Sequence, residues 1–213
     1  MTSLLPWSYT KLTTFERCPK LGHARYISKT LPYVESEAAK EGNRVHAAIE
    51  HYVRDGVALP KDLEWVTDFI PTKHEEDIIC VERWFNFDEQ NQLTHSKSWF
   101  TTKLDFLQIE GGDIAWILDW KTGKPWEDPD QLSTYSVAVK AHYPRVRHWR
   151  GMYIWLKDRK VGEVHTLSPG QTFHRLVERV KAVDTSDTAK KNRLCGYCDL
   201  TSCKHWTGKK GNG

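Results

Sequence analysis

Apolar residues alternate or cluster in two short runs near the middle of the chain, at residues 104–109 and 114–123. Each run has the spacing of a half-buried β-strand. The residues between them, 110–113, are Glu-Gly-Gly-Asp, a sequence typical of a hairpin turn. The pattern therefore predicts an antiparallel hairpin at the centre of the chain.

The remaining periodicity places helices and strands on both sides of this hairpin. Helical spacing predicts helices over residues 8–18, 35–54, 128–140 and 169–183, with Ser8 as a cap, Gly56 as a stop and Pro129 and Pro169 near helix starts. Apolar runs predict strands over residues 77–85, 147–156 and 160–167, and residues 59–76 are interpreted as a connecting segment. This order predicts an α/β domain with a mixed central sheet flanked by helices.

Composition restricts the class of protein. A chain of 213 residues with 39% hydrophobic and 28% charged residues is typical of one globular domain, here 1–213 with a core at about 35–183. No apolar run approaches the roughly 20 residues that span a bilayer, and no signal peptide is evident. We expect a cytoplasmic location, in a bacterium or a phage-infected host. The net charge of +3 is compatible with nucleic acid but does not indicate it.

Two aspartates and a lysine converge at one end of the predicted hairpin. Antiparallel pairing brings Asp105 near Asp119 and Lys121, and residues two apart on a strand share a face. Carboxylates bind hard divalent cations, and a lysine can orient water or stabilise phosphate charge. This chemistry suits phosphodiester hydrolysis, although a structural ion pair is the alternative. Glu82, on the preceding strand, is a further candidate for the acidic cluster, but surface exposure is the favoured expectation for it.

These residues resemble the PD-(D/E)XK nuclease superfamily, specifically its RecB-like branch. Asp105 followed by Asp119-Trp-Lys121-Thr-Gly is similar to that branch's catalytic strands. Gly42-Asn-Arg-Val-His46 is similar to its Gly-x-x-x-His helix, and Gln131-Leu-Ser-Thr-Tyr135 to its Gln-x-x-x-Tyr helix. The resemblance covers residues 8–205 and implies a restriction-endonuclease-like core.

The resemblance also implies roles for these residues. The expected ligands of Mg²⁺ or Mn²⁺ are His46, Asp105, Asp119 and the backbone carbonyl of Trp120. Lys121 is the expected catalytic lysine, and Gln131 and Tyr135 are expected to position DNA or the active-site groups. The residues alone leave other interpretations open. His46 also fits a buried helix face, Gln131 fits a helix cap formed with Asp128, and Tyr135 fits packing against the sheet.

The five cysteines favour metal binding or free thiols over disulfides. Cys195-Gly-Tyr-Cys198, with Cys203 and His205, has the spacing of a zinc site. A 4Fe–4S cluster on Cys18, Cys195, Cys198 and Cys203 is favoured over zinc, because the chain resembles the iron–sulfur subgroup, which includes the AddB nuclease domain and CRISPR-adaptation exonucleases. In that subgroup the cluster joins the chain ends, here residues 8–30 and 190–206. Four residues separate Cys198 from Cys203 where the AddB-type pattern has five. Cys80 is expected in the core.

The resemblance implies a divalent-metal-dependent DNA nuclease, with an exonuclease favoured, in phage or prokaryotic recombination, replication or DNA processing. A structure- or site-specific endonuclease and a non-catalytic DNA-binding module remain alternatives. Recombination or replication proteins are the expected partners, a homo-oligomer stays open, and no membrane is involved. Candidate DNA-contacting residues are Lys20, Arg25, Lys40, Arg44, Lys124, Trp126, Lys190, Lys191 and Arg193.

Overall fold

A computed structural model describes residues 6–70 and 74–208 and contains one six-stranded mixed sheet. Its strands are β1 (Ile78–Phe87), β2 (Phe100–Glu110), β3 (Ile114–Lys121), β4 (His148–Trp155), β5 (Lys160–Val161) and β6 (His165–Leu167). β1, β2 and β3 are antiparallel neighbours, β4 lies parallel to β3, and β5 and β6 pair with β4. The predicted α/β architecture with a mixed central sheet is therefore confirmed.

The helices are α1 (Tyr9–Arg17), α2 (Pro19–Gly22), α3 (Glu37–Asp55), α4 (Pro129–His142) and α5 (Pro169–Ala182). Shorter helical turns cover His23–Ile27, Glu64–Phe69 and Cys195–Tyr197. The ends of α3 follow from its sequence: the Ser36 hydroxyl accepts a hydrogen bond from the Ala39 amide, and Gly56 takes a left-handed φ of 71°. Such caps satisfy backbone groups that a helix end leaves unpaired.

Hydrophobic side chains fill both faces of the sheet. One cluster contains Phe15, Leu132 and Leu176 from α1, α4 and α5. The second contains Val45 and Ile49 of α3 together with β-strand residues. The sheet is thereby fixed between α3 on one side and α4 and α5 on the other. The end of β3 lies between these layers, where side chains from α3 and α4 can meet.

The side-chain alternation of β1 and β2 is interrupted at one pair of facing positions. Ladder pairing runs continuously except between Val81–Phe106 and Arg83–Leu104, which leaves Glu82 opposite Asp105 without a ladder pair. Glu82 has a φ of 46°, a strained value for a residue with a side chain. Both strands continue in the same register. Beyond this pair, however, the odd-numbered and even-numbered side chains have exchanged the faces of the sheet on which they lie.

Two sequence expectations differ from the observed elements. Residues 160–167 form two short strands instead of one, and both pair with β4, Lys160–Val161 at Ile154–Trp155 and His165–Leu167 at Trp149–Gly151. β2 begins at Phe100, ahead of the predicted start. Parts of the connecting segment (71–73), the N-terminus (1–5) and the tail (209–213) lie outside the described residues. No described helix has the length and apolarity needed to cross a membrane.

Candidate active site

Asp119 and Lys121 lie at the end of β3 with their side chains on the same face. The Lys121 ammonium is 2.6 Å from Asp119 Oδ2. Trp120, between them, packs on the opposite face with the second hydrophobic cluster. Asp119 is only 1% exposed, so its charge depends on the few polar groups around it.

Asp105 reaches the same point from β2. The β2–β3 ladder ends at the Phe106–Leu118 pair, and Asp105 is the next residue along β2. Its Oδ2 accepts a hydrogen bond from the Trp120 amide at 2.9 Å. The carboxylate thus takes the place of a backbone acceptor and is held beside the end of β3.

His46 approaches from α3 and is fixed through both ring nitrogens. Its Nε2 lies 3.1 Å from the Trp120 carbonyl oxygen. Its Nδ1 lies 2.8 Å from Glu82 Oε1 and 3.6 Å from Asp105 Oδ1. Gly42, one turn earlier, faces the Thr122 hydroxyl, where an added Cβ would lie at 3.4 Å. A small residue at this position lets α3 approach the end of β3.

Glu82 is part of this site, and the expectation that it is exposed was wrong. Its side chain is 8% exposed and lies between His46 and Lys103, whose ammonium is 2.5 Å from Glu82 Oε2. Regular alternation along β1 predicts the wrong face for Glu82, because the side chains exchange faces at this residue. In the structure the parity changes between Cys80 and Phe85, which belong to the same core cluster. The continuous apolar run at 78–81 hides this change in the sequence.

Gln131 and Tyr135 on α4 complete the surroundings of Asp119. The Tyr135 hydroxyl donates to Asp119 Oδ1 at 3.0 Å, and the Gln131 amide donates to Tyr135 at 2.6 Å and to Asp119 Oδ1 at 3.5 Å. Lys121 donates to Gln131 Oε1 at 3.2 Å. Tyr135 also packs in the first hydrophobic cluster, as the packing alternative expects, and its hydroxyl in addition contacts Asp119. Asp128 makes no side-chain cap.

The crowding of acidic groups shifts protonation equilibria in the site. Burial lowers the pKa of His46, but the hydrogen bond with Glu82 and the charges of Asp105, Glu82 and Asp119 outweigh burial and raise it to about 9. Burial and the neighbouring Asp119 raise the pKa of Asp105 to about 8. Burial, followed by the charges of Asp119 and Asp105, raises the pKa of Tyr135. A bound cation would favour the opposite protonation states.

The donor atoms fit a hard divalent cation. Ligand atoms of His46, Glu82 and Asp105 all lie within 4.8 Å of one another, and Asp119 is outside this group. Asp119 Oδ2 is buried and accepts no hydrogen bond, although Lys121 is close to it. Carboxylate and carbonyl oxygens with one imidazole suit Mg²⁺ or Mn²⁺. In the metal-free structure the Lys121 ammonium, at 2.6 Å, compensates the charge of this oxygen, and a bound cation would supply such compensation as well.

Four cysteines line one cavity of about 220 Å³, which none of the residues of the candidate active site lines. They are Cys18, Cys195, Cys198 and Cys203, and His205 is not among the lining residues. Among the described residues, no three cysteine sulfurs lie within 4.8 Å of one another. Zinc in a tetrahedral thiolate site would hold sulfurs about 3.8 Å apart, given bonds of about 2.3 Å.

Polar contacts join the two chain segments around this cavity. The Asn192 side chain donates to the Arg17 carbonyl at 3.0 Å, and the Lys20 amide donates to the Thr188 carbonyl at 3.0 Å. The Asn192 backbone N–H donates to Cys195 Sγ at 3.3 Å. Cys80 lies elsewhere, buried in the first hydrophobic cluster as expected from its apolar strand.

The candidate DNA-contacting residues fall into two groups. Ion pairs engage Lys20 with Asp187, Arg25 with Asp199, Lys40 with Glu37, and Arg44 with Glu41 and Asp62. No acidic partner within the described ranges pairs with Lys124, Lys190, Lys191 or Arg193. Trp126 is 74% exposed, so its ring is accessible.

Comparison with known proteins identifies the fold and the family. A family model described as the PD-(D/E)XK nuclease superfamily matches residues 6–203. The solved structure named "Crystal structure of SSO0001" aligns with a TM-score of 0.51 and 13% sequence identity, covering 97% of this chain and 89% of that chain. At this identity the likeness shows the fold alone. No curated protein matches the sequence.

Proposed function

The chain belongs to the PD-(D/E)XK nuclease superfamily, and from that premise we propose that it is a divalent-metal-dependent DNA nuclease of the RecB-like branch. The observation that carries the proposal is the meeting of Asp105, Asp119, Lys121 and His46 at the end of β3. A vestigial site has no physical reason to retain this set with its hydrogen bonds. The non-catalytic alternative is therefore disfavoured.

His46, Asp105, Asp119 and the Trp120 carbonyl would hold the cation, and Glu82 would orient the His46 ring. Bound Mg²⁺ or Mn²⁺ would supply activation of the attacking water and neutralisation of charge on the scissile phosphate. Asp119 is kept in place through Oδ1 by Tyr135, which leaves Oδ2 directed toward the cation and Lys121.

Lys121 supplies a preorganised positive charge in the proposed mechanism. Its ammonium lies between Asp119 Oδ2 at 2.6 Å and Gln131 Oε1 at 3.2 Å, and its face-on distance to the Tyr153 ring centroid is 5.4 Å. These contacts limit the rotamers of a long side chain and hold its ammonium beside Asp119, where it would stabilise the charge of a bound phosphate. A preorganised donor costs no reorganisation as charge develops during the reaction. Gln131 is thus a positioning residue for Lys121.

We further propose digestion from DNA ends in recombination, replication or DNA processing, with a cytoplasmic location. This part depends on the resemblance to RecB-like nucleases. An endonuclease would use the same residues, so the choice is experimental. Homo-oligomerisation and association with recombination or replication proteins also stay predictions.

For the cysteine cavity we propose a 4Fe–4S cluster on Cys18, Cys195, Cys198 and Cys203. The four thiols that share one cavity and the Asn192 backbone N–H that donates to Cys195 Sγ support it over a Cys₃His zinc site with His205, which does not line that cavity. The cluster would be structural and join segments 8–30 and 190–206 around the core at about 35–183. Zinc remains the alternative.

The test is digestion of end-labelled linear DNA and covalently closed circular DNA by the purified protein, in Mn²⁺, in Mg²⁺ and in EDTA. An exonuclease degrades the linear DNA in the presence of metal and leaves the closed circle intact. Asp119→Ala should abolish the activity. Cutting of the circle would make the protein an endonuclease, and no cleavage of any DNA form would make the nuclease proposal wrong.

A further inference from the structure

An open groove of about 550 Å³ lies next to the cysteine cavity, and exposed aromatic rings form part of its walls. Tyr33 is 78% exposed, Tyr197 64% and Trp206 37%. Tyr197 and Trp206 line both the groove and the cysteine cavity, so the two are continuous. We call the part bounded by Tyr33, Tyr197 and Trp206 the aromatic groove. Exposed rings grouped around one concave surface indicate a binding site.

The two chain segments that build this region are strongly basic. Residues 17–34 and 190–208 together contain eight Lys or Arg residues and one acidic residue, Asp199. The rest of the chain contains 23 Lys or Arg and 27 Asp or Glu residues. The mild positive charge of the whole protein therefore comes from the segments around the aromatic groove. This distribution favours a polyanionic ligand.

Most of these basic charges are not neutralised. Within the part of the chain that the structure describes, no carboxylate pairs with Lys29, Lys190, Lys191, Arg193 or Lys204. Elsewhere, basic side chains on the helices are commonly engaged, as in the Arg54–Glu50 and Arg179–Glu16 pairs. Unpaired ammonium and guanidinium groups are available to phosphates.

We propose that the aromatic groove binds single-stranded DNA, with unpaired bases stacked on Tyr33, Tyr197 and Trp206. The phosphates are held by basic residues of the same two segments, of which Arg17 and Lys190 line the adjoining cysteine cavity. Aromatic rings beside a basic track are the means by which proteins hold single strands without reading their sequence. Bases in a duplex are already stacked on each other, so the rings favour an unpaired strand. The proposal rests on the proposed nuclease function for DNA as its ligand.

The experiment measures binding of a 5′-fluorescein-labelled oligothymidylate of 20 nucleotides by fluorescence anisotropy. The full-length protein is used in EDTA, so no cleavage contributes. Tyr33→Ala and Tyr197→Ala should each weaken binding about 5- to 100-fold, from the stacking contribution of one ring. Trp84→Ala is the matched control, because Trp84 is 60% exposed on β1 outside the aromatic groove. Its affinity should equal that of the wild type.

Salt dependence separates stacking from phosphate attraction. The ring variants should weaken binding without changing the slope of log affinity against log salt. Lys190→Ala combined with Lys191→Ala should instead reduce that slope by about 0.7 for each phosphate that the protein no longer neutralises. Tyr197→Phe keeps the ring and should bind as the wild type does, which distinguishes loss of stacking from a folding defect near the cysteines.

Wild-type affinity in both ring variants would overturn the proposal. It would also be overturned if a 20-base-pair duplex bound as tightly as the oligothymidylate and the ring substitutions weakened both to the same degree. If the ring variants keep DNA binding but differ from the wild type in particle mass by light scattering, the rings form a protein interface. This result would also overturn the proposal. The two proposals fail separately. If the ring variants bind DNA weakly and the wild type does not cleave, only the nuclease function is contradicted. If the wild type cleaves and the ring variants bind DNA as tightly as the wild type, only the role of the aromatic groove is contradicted.

Discussion

Replacing Glu82 with glutamine should change the number of protons released when Mn²⁺ binds. Metal binds the neutral imidazole, so a protonated His46 must lose its proton first. With a pKa of about 9, His46 is protonated at pH 7.5 in the metal-free protein. The hydrogen bond from His46 Nδ1 to Glu82, at 2.8 Å, is the largest of the contributions that raise this pKa.

The magnitude follows from the two protonation states. At pH 7.5 a group of pKa about 9 carries about 0.97 proton, and displacing that proton costs about 2 kcal/mol of binding free energy. In Glu82→Gln the pKa should fall toward the ordinary value of about 6.5, where the ring carries about 0.1 proton at this pH. From His46, the wild type should therefore release nearly one proton more than the variant. The charge of Glu82 also helps to raise the pKa of Asp105, so its loss changes proton release in the same direction. The Mn²⁺ affinity of the wild type should also increase as the pH rises toward about 9.

Isothermal titration calorimetry in buffers of different ionisation enthalpy counts these protons. Glu127→Gln is the matched control, because Glu127 contacts a different histidine, His165, at the same distance of 2.8 Å. That variant should release as many protons as the wild type. Equal proton release by wild type and Glu82→Gln would refute the reasoning that Glu82 controls the protonation of His46.

Three further outcomes are expected. Gln131→Leu should slow single-turnover cleavage about 10-fold or more with little change in Mn²⁺ affinity, because it removes a side chain that positions the lysine and is not a metal ligand; a large loss of metal affinity would contradict this role. Tyr135→Phe should destabilise the metal-free protein by about 1–3 kcal/mol in urea unfolding, because buried Asp119 Oδ1 loses its hydroxyl donor, and unchanged stability would count against that hydrogen bond. Cys18→Ser should reduce iron content and melting temperature, whereas Cys80→Ser should retain iron; equal iron in both would exclude Cys18 as a ligand.

Local sequence rules were sufficient to predict much of the fold. The hairpin turn at 110–113 contains two glycines with φ of 55° and 73°, and its strands follow the apolar runs. The boundaries of α3 follow from its serine cap and terminal glycine. Asp119 and Lys121 could be placed together because strand geometry requires residues two apart to share a face.

Glu82 could not be placed in this way, because its position depends on an irregularity that only pairing with β2 reveals. The exchange of faces occurs in β1 and β2 together, and the positive φ of Glu82 is tolerated only because the surrounding contacts with His46 and Lys103 hold it. The aromatic groove was equally inaccessible to sequence periodicity. It forms from segments separated by more than 150 residues, joined by contacts such as Arg25 with Asp199.

The most direct measurement of the central claim is single-turnover cleavage of end-labelled linear DNA in Mn²⁺ by wild type and Lys121→Ala, with Mn²⁺ affinity measured in parallel. The account predicts metal-dependent cleavage that falls by about 100-fold or more in Lys121→Ala while metal affinity is maintained. Lys181→Ala, an exposed lysine on α5, should cleave as the wild type does. Equal cleavage by wild type and Lys121→Ala, or cleavage that persists in EDTA, would contradict the account.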